Sequence, residues 1–185
     1  MPTESELKIP VDDLEVVRVR LRTAGAGCTG RLEREVNAVL DAEDHRLEEA
    51  EQLLRVRRFG GRWTLTFKGT QSFQGPVKQR EELEIGVSDG VTLIEIFARL
   101  GYRPARRYEK DRELWRLEGV EVALDHTPMG DFVELEGSAA LLEATADRLG
   151  LDPATAVRGT YVDLWQRYRE LHRELELPES MVFGP

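Results

Sequence analysis

Apolar and polar residues alternate along most of this chain, and the alternation breaks where helical spacing takes over. Over residues 3–9, Glu4, Glu6 and Lys8 fall on one side and Ser5, Leu7 and Ile9 on the other. That is the period-two pattern of a strand with one wet face. Helical spacing follows over residues 11–24, with Asp12 or Asp13 placed to cap it and Leu14, Val17 and Leu21 on one face. Further strands are predicted at 31–41, 53–59, 62–68, 78–87, 106–117, 120–125 and 132–137, with a hairpin turn at Gly60-Gly61. Helices are predicted at 92–100, at 138–149 behind Ser138, and at 160–175. Short connections make the strands mostly antiparallel. With no Gly-, Ser- or Pro-rich linker and no fixed repeat, residues 1–177 read as one α+β domain, followed by a tail at 178–185.

The polar positions of these strands are charged far more often than a solvated sheet face requires. Glu4, Glu6 and Lys8 are followed by Arg55 and Arg57, by Thr64, Thr66 and Lys68, and by Arg80, Glu82 and Glu84. Lys110 and Arg112, Asp125, and Glu134 and Glu136 continue the series. The opposite face carries Leu54 and Val56, Leu65 and Phe67, Val120, Val122 and Leu124, and Val133 and Leu135. If the sheet closes, helices cover an apolar exterior and the charges line the bore. A dry bore would make so many charges prohibitively costly. A wet tunnel that binds something ionic accommodates them. Arg and Lys clusters suit phosphate oxygens, and carboxylate clusters suit hard cations such as Mg2+ or Mn2+. Together they suggest a metal-bound polyphosphate. An open sheet with cross-strand ion pairs explains any one strand, but not the consistency of all of them.

Composition narrows the partners. The 185 residues carry 26 Lys plus Arg against 35 Asp plus Glu, a net charge of -9. That excess disfavours extended nucleic acid and anionic membranes as partners. Cys28 is the single cysteine, so neither an intrachain disulfide nor a thiolate zinc cluster is expected. No apolar run approaches the roughly 20 residues of a membrane span, and the opening Met-Pro-Thr-Glu-Ser-Glu is too polar for a signal peptide. A soluble cytoplasmic protein is the expectation.

Glu4-Ser5-Glu6-Leu7-Lys8, Leu54-Arg55-Val56-Arg57, Leu65-Thr66-Phe67-Lys68-Gly69 and Arg80-Glu81-Glu82-Leu83-Glu84 stand in an order that is familiar as a set. So do Glu109-Lys110-Asp111-Arg112, Val122-Ala123-Leu124-Asp125 and the run from Gly130 to Glu136. Over about residues 3–170 the chain resembles the CYTH superfamily, the triphosphate tunnel metalloenzymes. The stretch from Gly101 to Glu136 is most similar to the class IV adenylyl cyclase branch. The resemblance implies an eight-stranded antiparallel β-barrel with helices outside, a divalent metal, and a triphosphate such as ATP in the tunnel. It implies Glu4, Glu6, Asp125, Glu134 and Glu136 as metal ligands. It implies Lys8, Arg55, Arg57, Lys68, Arg80, Lys110 and Arg112 as triphosphate contacts, with Glu82 and Glu84 orienting them or holding a second metal. Two departures are Met129 in place of leucine and the lack of an aromatic at Val39-Leu40-Asp41. The implied activity is cyclisation of ATP to cyclic AMP and pyrophosphate. Hydrolysis of inorganic tripolyphosphate, or of thiamine or nucleoside triphosphates, is the alternative, and a non-catalytic triphosphate-binding module is a third reading. A homodimer is also expected from the relatives.

Three other signals are read as structural. The G-x-G-x-x-G spacing at residues 25–30 follows a helix and precedes a strand, the reverse of a dinucleotide fingerprint. His126 reads as a turn histidine, and Tyr161, Leu164, Trp165 and Tyr168 as a packing stripe.

Overall fold

In a computed structural model of the chain, describing residues 3–184 and side chains from Ser5 onward, the expected strands close on themselves. The element order is β1 (Thr3–Val11), α1 (Leu14–Thr23), β2 (Gly27–Asp41), α2 (Arg46–Glu49), β3 (Leu53–Phe59), β4 (Arg62–Lys68) and β5 (Ser72–Gln74). It continues with β6 (Val77–Val87), α3 (Gly90–Arg99), β7 (Arg103–Leu117), β8 (Val120–Thr127), β9 (Gly130–Glu136), α4 (Ala139–Arg148) and α5 (Tyr161–Leu171). Around the barrel the order is β1-β9-β8-β7-β2-β3-β4-β6, and antiparallel pairing of β6 with β1 closes it. Closure removes the exposed edges of an open sheet. The short β5 is an addition to the eight expected strands: it pairs only with the start of β6 and is too brief to show an alternation of its own.

The apolar face points outward, as closure requires. Leu7 and Ile9 of β1, Val120, Val122 and Leu124 of β8, and Val133 and Leu135 of β9 are all buried. Leu14, Val17 and Leu21 of α1, Leu142 and Ala146 of α4, and Leu149 just past its end pack over them. Asp13 caps α1, accepting from the Glu15 N–H at 2.7 Å. On another part of the wall, α3 begins at Gly90, where a Cβ would lie 2.2 Å from the Trp63 ring; only glycine permits that approach.

Strands β2 and β7 are longer than their alternation suggested. Each is 15 residues long, and they pair from Gly27↔Arg116 to Asp41↔Arg103 with register shifts at Cys28/Gly30, Gly30/Glu33 and Val39/Leu40. Bulges of this kind bend a strand around a barrel and interrupt a strict period of two. The glycine run at 25–30 therefore leads into β2.

Helix α5 also ends earlier than its spacing predicted, at Leu171. A 3-10 turn at Arg173–Leu175 then folds the chain back, so that Trp165 Nε1 donates to Pro178 O at 3.1 Å. Beyond it, the segment read as a tail lies along β7 where β8 has run out. Met181 N donates to Arg107 O at 3.1 Å, and Glu109 N donates to Met181 O at 2.7 Å. Met181 is buried beside Tyr108, Phe132, Tyr161 and Trp165. No helix among the described residues is long and apolar enough to cross a membrane.

Candidate active site

The period-two rule places every second side chain of each strand in the bore. There they surround a cavity of about 320 Å³. Glu6, Lys8, Arg55, Arg57, Lys68 and Arg80 line it, as do Glu82, Glu84, Lys110, Arg112, Glu134 and Glu136. The backbone of Glu4 lies on β1 opposite Arg80, while its side chain falls outside the described residues. Asp125 alone among the remaining expected residues is not on the cavity wall.

Asp125 is instead an anchor behind the wall, with no exposed surface. Lys110 Nζ donates to its Oδ2 at 3.0 Å, and Arg112 donates through Nε to Oδ1 at 2.7 Å and through Nη2 to Oδ2 at 2.6 Å. The Tyr161 hydroxyl completes the set, donating to Oδ2 at 2.7 Å. Tyr161 is thus more than part of a packing stripe. Its ring lies 4.2 Å from Lys8 Nζ and 4.4 Å from Lys110 Nζ, and it helps to line the cavity. Burial and the Asp125 charge push its phenol well above the ordinary range, so it remains protonated.

A second buried anion, Glu35 of β2, was not singled out in the sequence. It has no exposed surface. Its Oε1 accepts from Asn37 Nδ2 at 3.0 Å, and Lys110 Nζ lies 3.6 Å away. Arg57 and Arg112 each approach its Oε2 at 3.8 Å. Burial alone would push this carboxyl up, but Lys110, Arg112, Arg57 and Arg55 outweigh it and hold it at about 2. Folded Glu35 therefore titrates below its unfolded value of 4.5, so its contribution to stability is full above that value and lost as pH falls towards 2. Urea unfolding of wild type is expected to show stability declining across that window. A Glu35→Gln variant should decline less steeply there, and an identical slope would contradict this assignment.

Elsewhere in the bore, Arg80 donates to the backbone carbonyls of Gly69 at 2.6 Å, Lys68 at 3.1 Å and Glu51 at 3.3 Å, and most other cations stand in compensated pairs. Lys8 Nζ lies 3.1 Å from both Glu6 Oε1 and Glu134 Oε1. Lys78, also missed in the sequence, pairs with Glu6, and Arg112 pairs with Glu134. Lys68 meets Glu82 at 3.0 Å, and Arg57 Nη2 donates to both oxygens of Glu84 at 3.1 Å. Arg55 donates to the Tyr108 hydroxyl at 3.2 Å and to Thr66 Oγ1 at 3.3 Å. Burial would lower the Lys8 amine, but Glu6 and Glu134 raise it above the ordinary lysine range. Lys8 is accordingly a fixed cation.

Carboxylates concentrate on one wall. Glu121 of β8, Glu136 of β9 and Glu6 of β1 are register partners, side by side across three strands, and all three line the cavity. Like charges directly opposite one another are destabilising unless a cation lies between them. Burial would push the Glu6 carboxyl up, yet Lys8 and Lys78 hold it at about 2, so it stays ionised and able to ligate. A donor set made of carboxylate oxygens fits a hard divalent cation. A separate grouping of Asp41, His45 and Glu48 lies outside the bore. There Asp41 already accepts from the Ala42, Leu47 and Glu48 N–H groups and caps α2. His126 is exposed on the exterior, 2.6 Å from Asp131 and stacked on Phe183.

The cavity shares Arg57 and Glu84 with a surface pocket that Arg31, Glu33 and Arg62 also line. It shares Leu53, Arg80 and Thr160 with a second chamber of about 460 Å³.

Comparison with known proteins agrees with this architecture. The protein named "Putative adenylate cyclase MJ0240" from Methanocaldococcus jannaschii is 29% identical over 136 residues, 73% of this chain and 77% of its own. Among solved structures, PH1012 of Pyrococcus horikoshii superposes with a TM-score of 0.74 at 26% identity, covering 87% of this chain and 98% of its own. HpAC1 of Hippeastrum, described as an adenylyl cyclase candidate with a dominant triphosphatase activity, superposes at 0.62 with 16% identity, over 90% of this chain and 96% of its own. The CYTH domain model matches residues 2–161. On that match, and on the closed charged bore, the chain belongs to the CYTH family.

Proposed function

We propose that this protein is a divalent-metal-dependent enzyme that converts ATP to cyclic AMP and pyrophosphate in the manner of class IV adenylyl cyclases. The observation that supports it most is one cavity lined both by carboxylates, grouped at Glu6, Glu121 and Glu136, and by Lys and Arg side chains. Lys8, Arg55, Arg57, Lys68, Arg80, Lys110 and Arg112 bind the triphosphate oxygens and neutralise charge that builds on the departing phosphates. Glu82 and Glu84 hold Lys68 and Arg57 in place, and Asp125 and Glu35 do the same for Lys110 and Arg112. Glu6, Glu134 and Glu136, with Glu4, would hold Mg2+ or Mn2+, which supplies Lewis-acid polarisation of phosphoryl oxygens.

In cyclisation the ribose 3′-oxygen bonds to the α-phosphorus, the bond to the bridging oxygen of pyrophosphate breaks, and the 3′-hydroxyl loses its proton. Lys8 and Tyr161 do not take that proton, because both stay protonated in the bore. Their part is to position and to neutralise. The name carried by the M. jannaschii relative favours the cyclase form. Hydrolysis of tripolyphosphate, or of a thiamine or nucleoside triphosphate, would use the same lining with water attacking a terminal phosphorus.

Incubation with ATP and Mg2+ or Mn2+, with products separated by chromatography, tests the reading. Cyclic AMP and pyrophosphate are expected. ADP and phosphate, or turnover of tripolyphosphate without cyclic AMP, would replace the cyclase by a triphosphatase. Binding without any product would replace both by a binding module.

A further inference from the structure

The segment that lies along β7 falls beyond residue 161, where the CYTH match ends. Among the described residues, β8 pairs with β7 only over Asp111–Leu117, so β7 has an edge at Tyr108 on that side. Met181 fills this edge. Its N–H and carbonyl bracket Tyr108 through Arg107 O and Glu109 N, and its side chain is buried in the cluster that contains the Tyr108 ring. The segment is pinned at both ends. Trp165 Nε1 donates to Pro178 O at 3.1 Å and Arg169 Nε to Leu177 O at 3.2 Å. The Phe183 ring lies 4.0 Å from the Arg34 guanidinium and stacks on His126.

Tyr108 in turn holds the bore cation that carboxylates hold least. Lys8, Arg57, Lys68, Lys110 and Arg112 each have a carboxylate oxygen within 3.1 Å. Arg55 has Glu84 only at 3.8 Å, and it donates instead to the hydroxyls of Tyr108 and Thr66. Its Nε is buried with no hydrogen-bond partner among the described residues. Neutral hydroxyls orient a guanidinium without cancelling its charge, which leaves it for a phosphate oxygen. We propose that this C-terminal strap is a positioning element of the bore: Met181 fixes Tyr108, and Tyr108 aims Arg55 at the triphosphate. The proposal rests on the triphosphate reading of the bore and adds a residue outside the CYTH match that governs its affinity. Without the Met181 side chain, the rings around it relax into the space left behind, and the Tyr108 hydroxyl moves away from Arg55.

A double-mutant cycle read by equilibrium dialysis tests this, using the full chain in EDTA with tripolyphosphate and ATP as probes. Met181→Ala should weaken binding of both probes about tenfold, the scale of one lost charge-assisted hydrogen bond. Tyr108→Phe, which removes only the hydroxyl, should weaken them by a similar factor. Both changes act through the same Arg55 contact, so the double variant should bind within about twofold of either single one. Met181→Leu conserves volume and should restore affinity. Leu142→Ala, in the core between α4 and the barrel wall, should melt lower than wild type yet bind both probes as wild type does. If Met181→Ala does not fold, Phe183→Ala at the half-buried end of the strap replaces it in the cycle, with a smaller loss that again vanishes beside Tyr108→Phe. Unchanged affinity in the folded strap variant, losses that multiply in the double variant, or an equal loss in Leu142→Ala would overturn the strap's role while leaving the bore reading intact. If wild type binds neither probe, the bore reading falls and the strap's role falls with it.

Discussion

Asp125→Asn is expected to lower the thermal midpoint by on the order of 10 °C, the largest stability loss of any single substitution considered for the bore. The change is nearly isosteric, so the loss is electrostatic. Asp125 accepts from Lys110, twice from Arg112 and from Tyr161, all within 3.0 Å and out of contact with solvent. An asparagine amide replaces one acceptor with a donor that faces other donors, and leaves Lys110 and Arg112 with only Glu35 and Glu134 as counter-charges. Removing one partner of a buried ion pair typically costs about 3–5 kcal/mol. In a domain of this size each kcal/mol moves the midpoint by about 2–4 °C. Tyr161→Phe removes one neutral donor and no charge, so its loss should be clearly smaller. Differential scanning calorimetry of the two variants checks the ranking. An Asp125→Asn protein melting within 2–3 °C of wild type, roughly the effect of 1 kcal/mol, would show that Glu35 and Glu134 alone satisfy those cations.

Much of this arrangement was legible because a strand exposes its parity. Once Arg80, Glu82 and Glu84 were assigned to one face, closure had to bring them together with Lys8, Arg55 and Lys110. The residues that were missed fall into two kinds. Lys78 is two residues before Arg80, and Glu121 four before Asp125, so extending the same alternation would have found both. Glu35 and Asn37 share the bore with Lys110 through the register Glu35↔Lys110, and the face assignment had not been carried onto β2. Tyr161 had no such signal. It sits on a helix whose own spacing marks it as apolar packing, and only the docking of α5 at the barrel end brings its hydroxyl to Asp125. Asp125 illustrates the converse limit. Its parity places it inward, but which inward residues reach the cavity and which brace it from behind depends on side-chain length and on neighbours across the bore.

The net charge looked unfavourable to a polyanion because it averages over the whole surface. Within the bore, cations and carboxylates compensate one another pairwise, so the charge of the whole chain does not describe the surroundings of a small ligand there. A small metal-bound triphosphate would meet these paired groups, whereas an extended nucleic acid would meet the acidic exterior.

In the proposed function, Glu6 and its neighbours hold a metal against a triphosphate bound by the Lys and Arg side chains of the bore. Glu6→Gln preserves shape and removes the ionised oxygen that Lys8 and Lys78 keep available. A metal contributes several kcal/mol to such reactions, and each 1.36 kcal/mol is tenfold in rate, so turnover should fall at least about 100-fold. Phosphorus NMR of wild type and Glu6→Gln side by side, each with ATP and with tripolyphosphate at saturating Mg2+, measures this most directly. Metal-dependent conversion of at least one substrate by wild type is expected, and almost none by a folded Glu6→Gln protein. Equal rates for the two proteins, or conversion by wild type that persists in EDTA, would contradict it.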